Sequence, residues 1–100
     1  MSPSKIEILK ARAASFKEVL EKTSEKGKQE HVTSAQADDF NRLLYDIGNE
    51  FPDVKDSLPQ RILSTKLILR RQGYSDFRYL ELEIAVEQVI KLIRLCDSTH

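Results

Sequence analysis

The sequence is poor in residues that break helices or cross-link chains. Its 100 residues include three glycines, three prolines and one cysteine, Cys96. A single cysteine excludes an internal disulfide, and at its position in an apolar helical pattern Cys96 is expected to be a small buried side chain rather than a nucleophile. With 40% hydrophobic and 32% charged residues, the composition is typical of a folded, helix-rich chain and not of a disordered one.

Long apolar runs are also missing. No stretch of 18 apolar residues occurs, and charged residues interrupt the apolar ones soon after Met1. These features argue against a transmembrane helix and against a signal peptide. We therefore expect a cytoplasmic protein without membrane association. The length of the chain predicts a single helical domain over residues 1–100.

The net charge of the chain is zero, so it lacks the general attraction to nucleic acid or anionic lipid that a strongly basic domain has. The charges are unevenly distributed, however. Residues 29–56 carry seven acids against two bases, and residues 57–78 carry five bases against one acid. These two blocks either pair within one molecule or mark two surfaces that meet between molecules.

Four helices are predicted from apolar periodicity and from the residues that start and end helices. Capping-box patterns begin at Ser4, Thr33 and Ser57, and Pro52 and Gly73 mark helix ends. The predicted helices cover residues of about 5–25, 34–50, 58–72 and 76–96. Their short connections favour an all-α, four-helix up-down-up-down bundle, which dimerisation through the third and fourth helices could complete.

The segment from Ser75 to Cys96 is the longest apolar-rich stretch without glycine or proline, and it predicts the central helix. Part of it alternates like a strand, but its later charges keep the helical period of 3.6 residues. One broad arc is expected to face the core: Tyr79, Leu82, Ala85, Val86, Val89, Ile90, Leu92, Ile93 and Cys96. A second apolar strip lies on nearly the opposite side: Phe77, Leu80, Ile84 and Leu95, with Leu63 and Leu67 of the third helix.

This second strip gives the leading functional prediction. If it is exposed, its side chains form a contiguous apolar patch of the kind that marks protein interfaces. If the last helix runs through the middle of the fold, the same side chains are core. We therefore predict a non-enzymatic protein–protein interaction or oligomerisation module, with a second copy or another protein as its partner.

A nucleic-acid-associated helical domain is the alternative prediction. The third helix, a short turn and the fourth helix have the order of a helix-turn-helix, and the segment 61–78 is basic. Its charges do not form the single outward stripe of a recognition helix, since they point to different sides of the predicted helix. The candidate nucleic-acid contacts are Arg61, Lys66, Arg70, Arg71 and Arg78.

Catalytic motifs are scarce. The sequence has no phosphate-binding G-x-x-x-x-G-K-[ST] loop, no H-E-x-x-H, no C-x-x-C and no G-x-S-x-G. Glu83 and Glu87 share one helix face, but metal sites in bundles combine such carboxylates with Glu-x-x-His motifs. A solvated acidic edge is expected instead. We predict no catalytic residues, no metal site and no cofactor.

Arg94 and His100 are separated by five residues near the end of the last helix. This spacing resembles the R-x(4–6)-H element of HEPN-type ribonucleases. The resemblance covers these two residues, and Leu95 stands where those enzymes usually carry a polar residue. It implies, as a third function, a small helical bundle that dimerises and brings the Arg and His pairs together to cleave RNA.

Overall fold

The computed structural model describes residues 3–62 and 67–99, except for the side chain of Thr99. These residues form α-helices, short 3-10 helices and a two-stranded antiparallel sheet. The elements are α1 (Lys5–Lys22), a 3-10 helix (Gly27–Gln29), β1 (His31–Thr33), α2 (Ser34–Glu50), a second 3-10 helix (Pro52–Ser57), α3 (Leu67–Arg71), β2 (Tyr74–Arg78) and α4 (Tyr79–Thr99). The prediction of an all-α four-helix up-down-up-down bundle is therefore wrong.

The helix predicted over 58–72 accounts for part of this error. The backbone is extended at Leu58, with a ψ of 150°, and it stays non-helical up to Ile62. Among the described residues, helix α3 covers Leu67–Arg71. Proline disfavours the α conformation of the residue before it, so Pro59 keeps Leu58 extended and outweighs the capping pattern that precedes it.

A two-stranded sheet is the other part of the correction. Strand β2 pairs antiparallel with β1, with His31 opposite Arg78 and Thr33 opposite Tyr74. The step from His31 to Thr33 in β1 is two residues long, whereas the matching step from Tyr74 to Arg78 in β2 is four residues long. Strand β2 therefore contains a bulge. The predicted fourth helix thus loses its first residues to a strand.

The sheet holds the starts of α2 and α4 together. At one end, the backbone N–H of Ser34 donates to the carbonyl oxygen of Gly73 (2.8 Å), and at the other the N–H of Tyr79 donates to the carbonyl oxygen of Glu30 (3.0 Å). Gly73 has a φ of +83°, a conformation that glycine adopts without steric cost. The chain can therefore turn sharply from α3 into β2.

Ser75 explains why α4 begins later than predicted. Its side chain is fully buried in the bulge of β2, where the hydroxyl oxygen accepts a hydrogen bond from the N–H of Phe77 (3.3 Å). A serine that bonds the backbone two residues further on favours a turn over a helix. Helix α4 accordingly begins at Tyr79 rather than near residue 76.

The core lies where α1, α2 and α4 meet, since α1 packs against both of the other helices. Phe16 of α1 contacts Phe40 of α2 edge to face, with ring centroids 5.6 Å apart, a geometry that aromatic pairs prefer. The buried apolar residues of α4 confirm most of its predicted core arc. They are Leu82, Ala85, Val86, Val89, Ile93 and Cys96.

Ion pairs connect the helices at the surface. Arg12 of α1 binds Asp46 of α2 (2.6 Å), and Lys5 lies 3.6 Å from Glu50. Such partly exposed pairs each contribute at most about 1 kcal/mol. Two acids of the acid-rich block 29–56 therefore face bases of α1, and not the basic block.

Gly48 gives a first testable prediction, because this glycine lies inside α2 and a Cβ there would meet Lys55 Cγ at 3.4 Å and Leu58 Cδ1 at 3.7 Å. These are ordinary contact distances. We expect Gly48→Ala to raise the free energy of unfolding by about 0.5–1 kcal/mol, because alanine loses less backbone entropy in a helix. Urea unfolding measures this difference. A lower free energy of unfolding for Gly48→Ala would contradict the inference that the added Cβ fits beside Lys55 and Leu58.

Candidate interaction surface

Helix α4 carries three exposed apolar side chains on the side that faces away from the core. Leu80, Ile84 and Leu95 have exposed fractions of 41%, 59% and 56%. Separations of four and eleven residues place side chains on the same face of an α-helix. These three residues, which we call the outer strip, therefore form one row on the surface of α4.

The other residues of the predicted apolar strip are placed differently. Phe77 lies in β2, is half-buried and packs against the core, so it is not part of the outer strip. Leu67 lies in α3 and is exposed. Leu63 lies outside the described residues. We therefore restrict the outer strip to the three exposed residues of α4.

Two polar residues interrupt the outer strip. Gln88 and Lys91 lie between Ile84 and Leu95 on the same helix face, and both are exposed. No ion pair or hydrogen bond holds the side chain of Lys91 in the described part of the chain. The outer strip thus has two residues in the first half of α4 and one in the second half, and an amide and a cation separate them.

The helix-turn-helix order behind the nucleic-acid prediction is not formed, because β2 stands between α3 and α4. Arg70 and Arg71 lie in α3. Arg78 ends β2, and its Nη1 donates to the carbonyl oxygen of Gln29 (2.5 Å). Lys66 lies outside the described residues. The predicted basic segment is therefore divided among separate elements.

Arg61 is one of three cations around a groove beside α2. The groove has a volume of about 460 Å³ and lies between α2, the 3-10 helix Pro52–Ser57 and the segment that follows it. Its other cations are Arg42 and Lys55, and no acidic side chain occurs among its described lining residues. We call it the basic groove. Arg42 and Lys55 are the two bases of the acid-rich block, so a search for basic sequence segments misses both.

Asn41 fixes one wall of the basic groove. Its Nδ2 donates to the carbonyl oxygen of Ile62 (2.8 Å), and its Oδ1 accepts from the N–H of Ile62 (2.7 Å). A side-chain amide carries both a donor and an acceptor, so it can satisfy both backbone groups of one residue. Because Ile62 is also buried, the non-helical segment is held against α2.

The acidic edge predicted on α4 is engaged in ion pairs. Glu83 binds Lys28 (2.7 Å), and Glu87 lies 3.7 Å from Lys17. The hydrogen bond to Glu83 raises the pKa of Lys28 above its usual value, although partial burial of the ammonium acts in the opposite direction. Among the side chains that the structure describes, no three His, Cys, Asp or Glu residues are grouped closely enough to hold a metal ion.

Cys96 and Arg94 occupy the second half of α4. Cys96 is buried, and this burial raises the pKa of its thiol, to which the charge of Asp53 adds. A thiol that stays protonated is a poor nucleophile. Arg94 is exposed and lines a groove between α1 and α4, while His100 lies outside the described residues. The pair that resembles the HEPN element is therefore represented by its arginine alone.

Comparisons of this chain with protein-family models, with curated protein sequences and with solved structures find no match. The helices described here include none with the length and apolar character needed to cross a membrane. The evidence for the function of this chain therefore comes from the surface of the chain itself.

Proposed function

We propose that this chain is a non-enzymatic, cytoplasmic oligomerisation module that forms a homodimer through the outer strip of α4. The supporting observation is the exposure of Leu80, Ile84 and Leu95 on one helix face. Single exposed apolar residues are common on protein surfaces, whereas aligned ones are typical of interfaces. A second copy would remove these side chains from water, which drives association.

The spacing along the outer strip fits an antiparallel second copy. Leu80 and Leu95 are equally distant from the middle of the strip, and so are Ile84 and Lys91. Two α4 helices that run in opposite directions therefore place Leu80 of one copy opposite Leu95 of the other. The aliphatic part of Lys91 then covers Ile84. The row of contacts is about 22 Å long at a rise of 1.5 Å per residue.

Charge supports this arrangement. The chain has no net charge, so two copies do not repel each other overall. Glu81 and Glu87 border the outer strip on its two sides, while Lys91 lies within it. In the antiparallel pair, Lys91 approaches carboxylates of the opposite copy and not its cations, which makes the surface complementary to itself.

The contact area of one helix face is small. Interfaces of this size usually belong to reversible complexes, so we expect a dissociation constant on the order of micromolar. Dimerisation is therefore expected to depend on protein concentration.

Leu80→Glu/Ile84→Glu tests the proposal. We expect the wild-type chain to sediment as a dimer well above micromolar concentration. The double variant should sediment as a monomer, because the carboxylate introduced at position 80 would face Leu95 of the other copy and the apolar side chain of Ile84 would be lost. Analytical ultracentrifugation measures the mass. Circular dichroism should show unchanged helix content, since both residues are exposed.

Ile8→Glu/Val19→Glu is the matched control. Both residues are exposed apolar side chains on α1, so the control adds the same charge to a different helix and should leave the dimer intact. A wild-type monomer at every concentration, or a dimer that survives the substitutions in α4, would refute the proposal. Loss of helix content in the α4 variant would show that Leu80 and Ile84 belong to the core.

A further inference from the structure

The basic groove collects positive charge from three separate parts of the chain. Arg42 lies in α2, Lys55 in the 3-10 helix Pro52–Ser57, and Arg61 in the non-helical segment that follows. None of its described lining residues is acidic. Cations gathered in a recess without counter-charges create a positive potential that attracts anions.

These cations are not engaged elsewhere in the described structure. Arg42, Lys55 and Arg61 make no ion pair and no side-chain hydrogen bond with the residues that it includes. Asp46 lies four residues after Arg42, at the usual distance for a pair on one helix, but it binds Arg12 of α1 instead (2.6 Å). The donors of the three side chains are therefore available to a ligand.

The kinds of cation favour a phosphate ligand. The planar guanidinium of arginine binds two oxygens of a phosphate or carboxylate at once, whereas the ammonium of lysine acts as a point charge. Two guanidinium groups and one ammonium group supply more positive charge than a single carboxylate would neutralise. They match the several negative charges of a diphosphate.

The remaining lining favours a flat ring beside the phosphates. Tyr45 is 69% exposed at the groove, and Leu44 and Leu58 provide an apolar floor. Aromatic side chains stack on nucleobases, and the amide of Asn49 can both donate to and accept from the edge of a base. The groove volume of about 460 Å³ lies within the range of about 300–1,000 Å³ that ligand sites usually have.

We propose that the basic groove binds a nucleoside phosphate, either as a free nucleotide or as part of a single strand. Arg42, Lys55 and Arg61 bind the phosphates, and Tyr45 stacks on the base. The site is independent of the proposed dimer, because the outer strip lies on α4 and the groove beside α2.

Calorimetric titration of the full chain with ADP, inorganic pyrophosphate and a short single-stranded RNA tests this assignment. We expect saturable binding of ADP, of the RNA or of both. Arg42→Gln/Arg61→Gln should weaken this binding by about 100-fold, since each charge-assisted contact contributes about tenfold. Tyr45→Ala should weaken the binding of the nucleoside ligand by about tenfold and leave the affinity for pyrophosphate unchanged.

Lys22→Gln/Lys26→Gln is the control, because it removes two exposed lysines at the end of α1 and just after it and changes the net charge by the same amount. It should leave the affinity unchanged. Equal losses in the two double variants would overturn the proposal in favour of general electrostatic attraction, and so would the absence of binding to both ADP and RNA. An unchanged affinity of Tyr45→Ala for the nucleoside ligand would overturn the stacking role.

The two ligands distinguish the sources of the nucleoside phosphate. Tighter binding of ADP than of RNA supports a free nucleotide, and tighter binding of RNA supports a single strand. Sedimentation of the groove variants should match that of the wild-type chain. A loss of ligand binding can therefore be distinguished from a loss of dimerisation.

Discussion

Replacing Phe40 by alanine is expected to lower the free energy of unfolding by about 3–5 kcal/mol. Phe40 is fully buried in α2 and contacts Phe16 of α1 edge to face, at 5.6 Å between ring centroids. The substitution removes this contact and leaves a cavity at the meeting point of three helices. Because domains of this size are stable by only about 5–15 kcal/mol, a large part of the stability depends on this one ring.

Urea unfolding at a protein concentration below the dissociation constant of the proposed dimer measures the effect of Phe40→Ala without a contribution from association. Tyr45→Ala is the matched control, since Tyr45 is an aromatic residue of the same helix that is mostly exposed. We expect it to change stability by no more than about 0.5 kcal/mol. Similar losses of unfolding free energy in Phe40→Ala and Tyr45→Ala would contradict the placement of Phe40 in the core.

Asn41→Ala is expected to lower the free energy of unfolding by about 2–3 kcal/mol, which is the second largest effect that we predict. The substitution removes both hydrogen bonds to the backbone of Ile62 (2.7 and 2.8 Å) and leaves a partly buried donor and acceptor unpaired. The segment from Leu58 to Ile62 then loses its main polar attachment to α2. Urea unfolding gives the free energy, and faster hydrogen exchange of the Ile62 amide should report the local loosening.

Asn49→Ala controls for the change of residue type. Asn49 lies on the exposed surface of α2, and its side chain makes no hydrogen bond with the residues that the structure describes. Its replacement should change stability by less than about 0.5 kcal/mol. Asn41→Asp keeps the acceptor for the Ile62 N–H but sets a second oxygen against the Ile62 carbonyl oxygen, so it should not restore the stability of the wild-type chain. Equal effects at positions 41 and 49 would contradict the role of Asn41.

The first two helices could be predicted because their signals are local. Ser4 and Glu7 form the expected capping box, and Thr33 accepts a hydrogen bond from the N–H of Gln36. Each helix also buries one narrow face, so apolar periodicity identifies it. The end of α1 at Lys22 is earlier than the predicted end near residue 25, an error that is usual where helices fray.

The sheet could not be predicted in the same way, because its pairing is not local. Strands His31–Thr33 and Tyr74–Arg78 are too short to show a period of two, and they are far apart in the sequence. Strand β1 ends in Thr33, which is itself the N-cap of α2, so the sequence indicates a helix start there rather than a strand. The helices predicted over 58–72 and 76–96 leave only a turn between them, where β2 begins.

The same limits apply to the functional surfaces. The outer strip followed from the helical positions of Leu80, Ile84 and Leu95, which local periodicity describes well. The sequence places Phe77 in this strip because it predicts that the last helix begins near residue 76, whereas the helix begins at Tyr79. The basic groove was missed because tertiary structure, and not sequence proximity, brings together Arg61 and the cations of the acid-rich block.

The packing of α1 against α4 has a consequence for synthesis on the ribosome. The buried side of α1, including Leu9 and Leu20, is synthesised well before α4, the helix that covers it. The apolar side of α1 therefore stays partly uncovered until α4 has left the exit tunnel, and chaperones can bind it in that interval. Contacts between segments so distant in sequence also slow the final collapse.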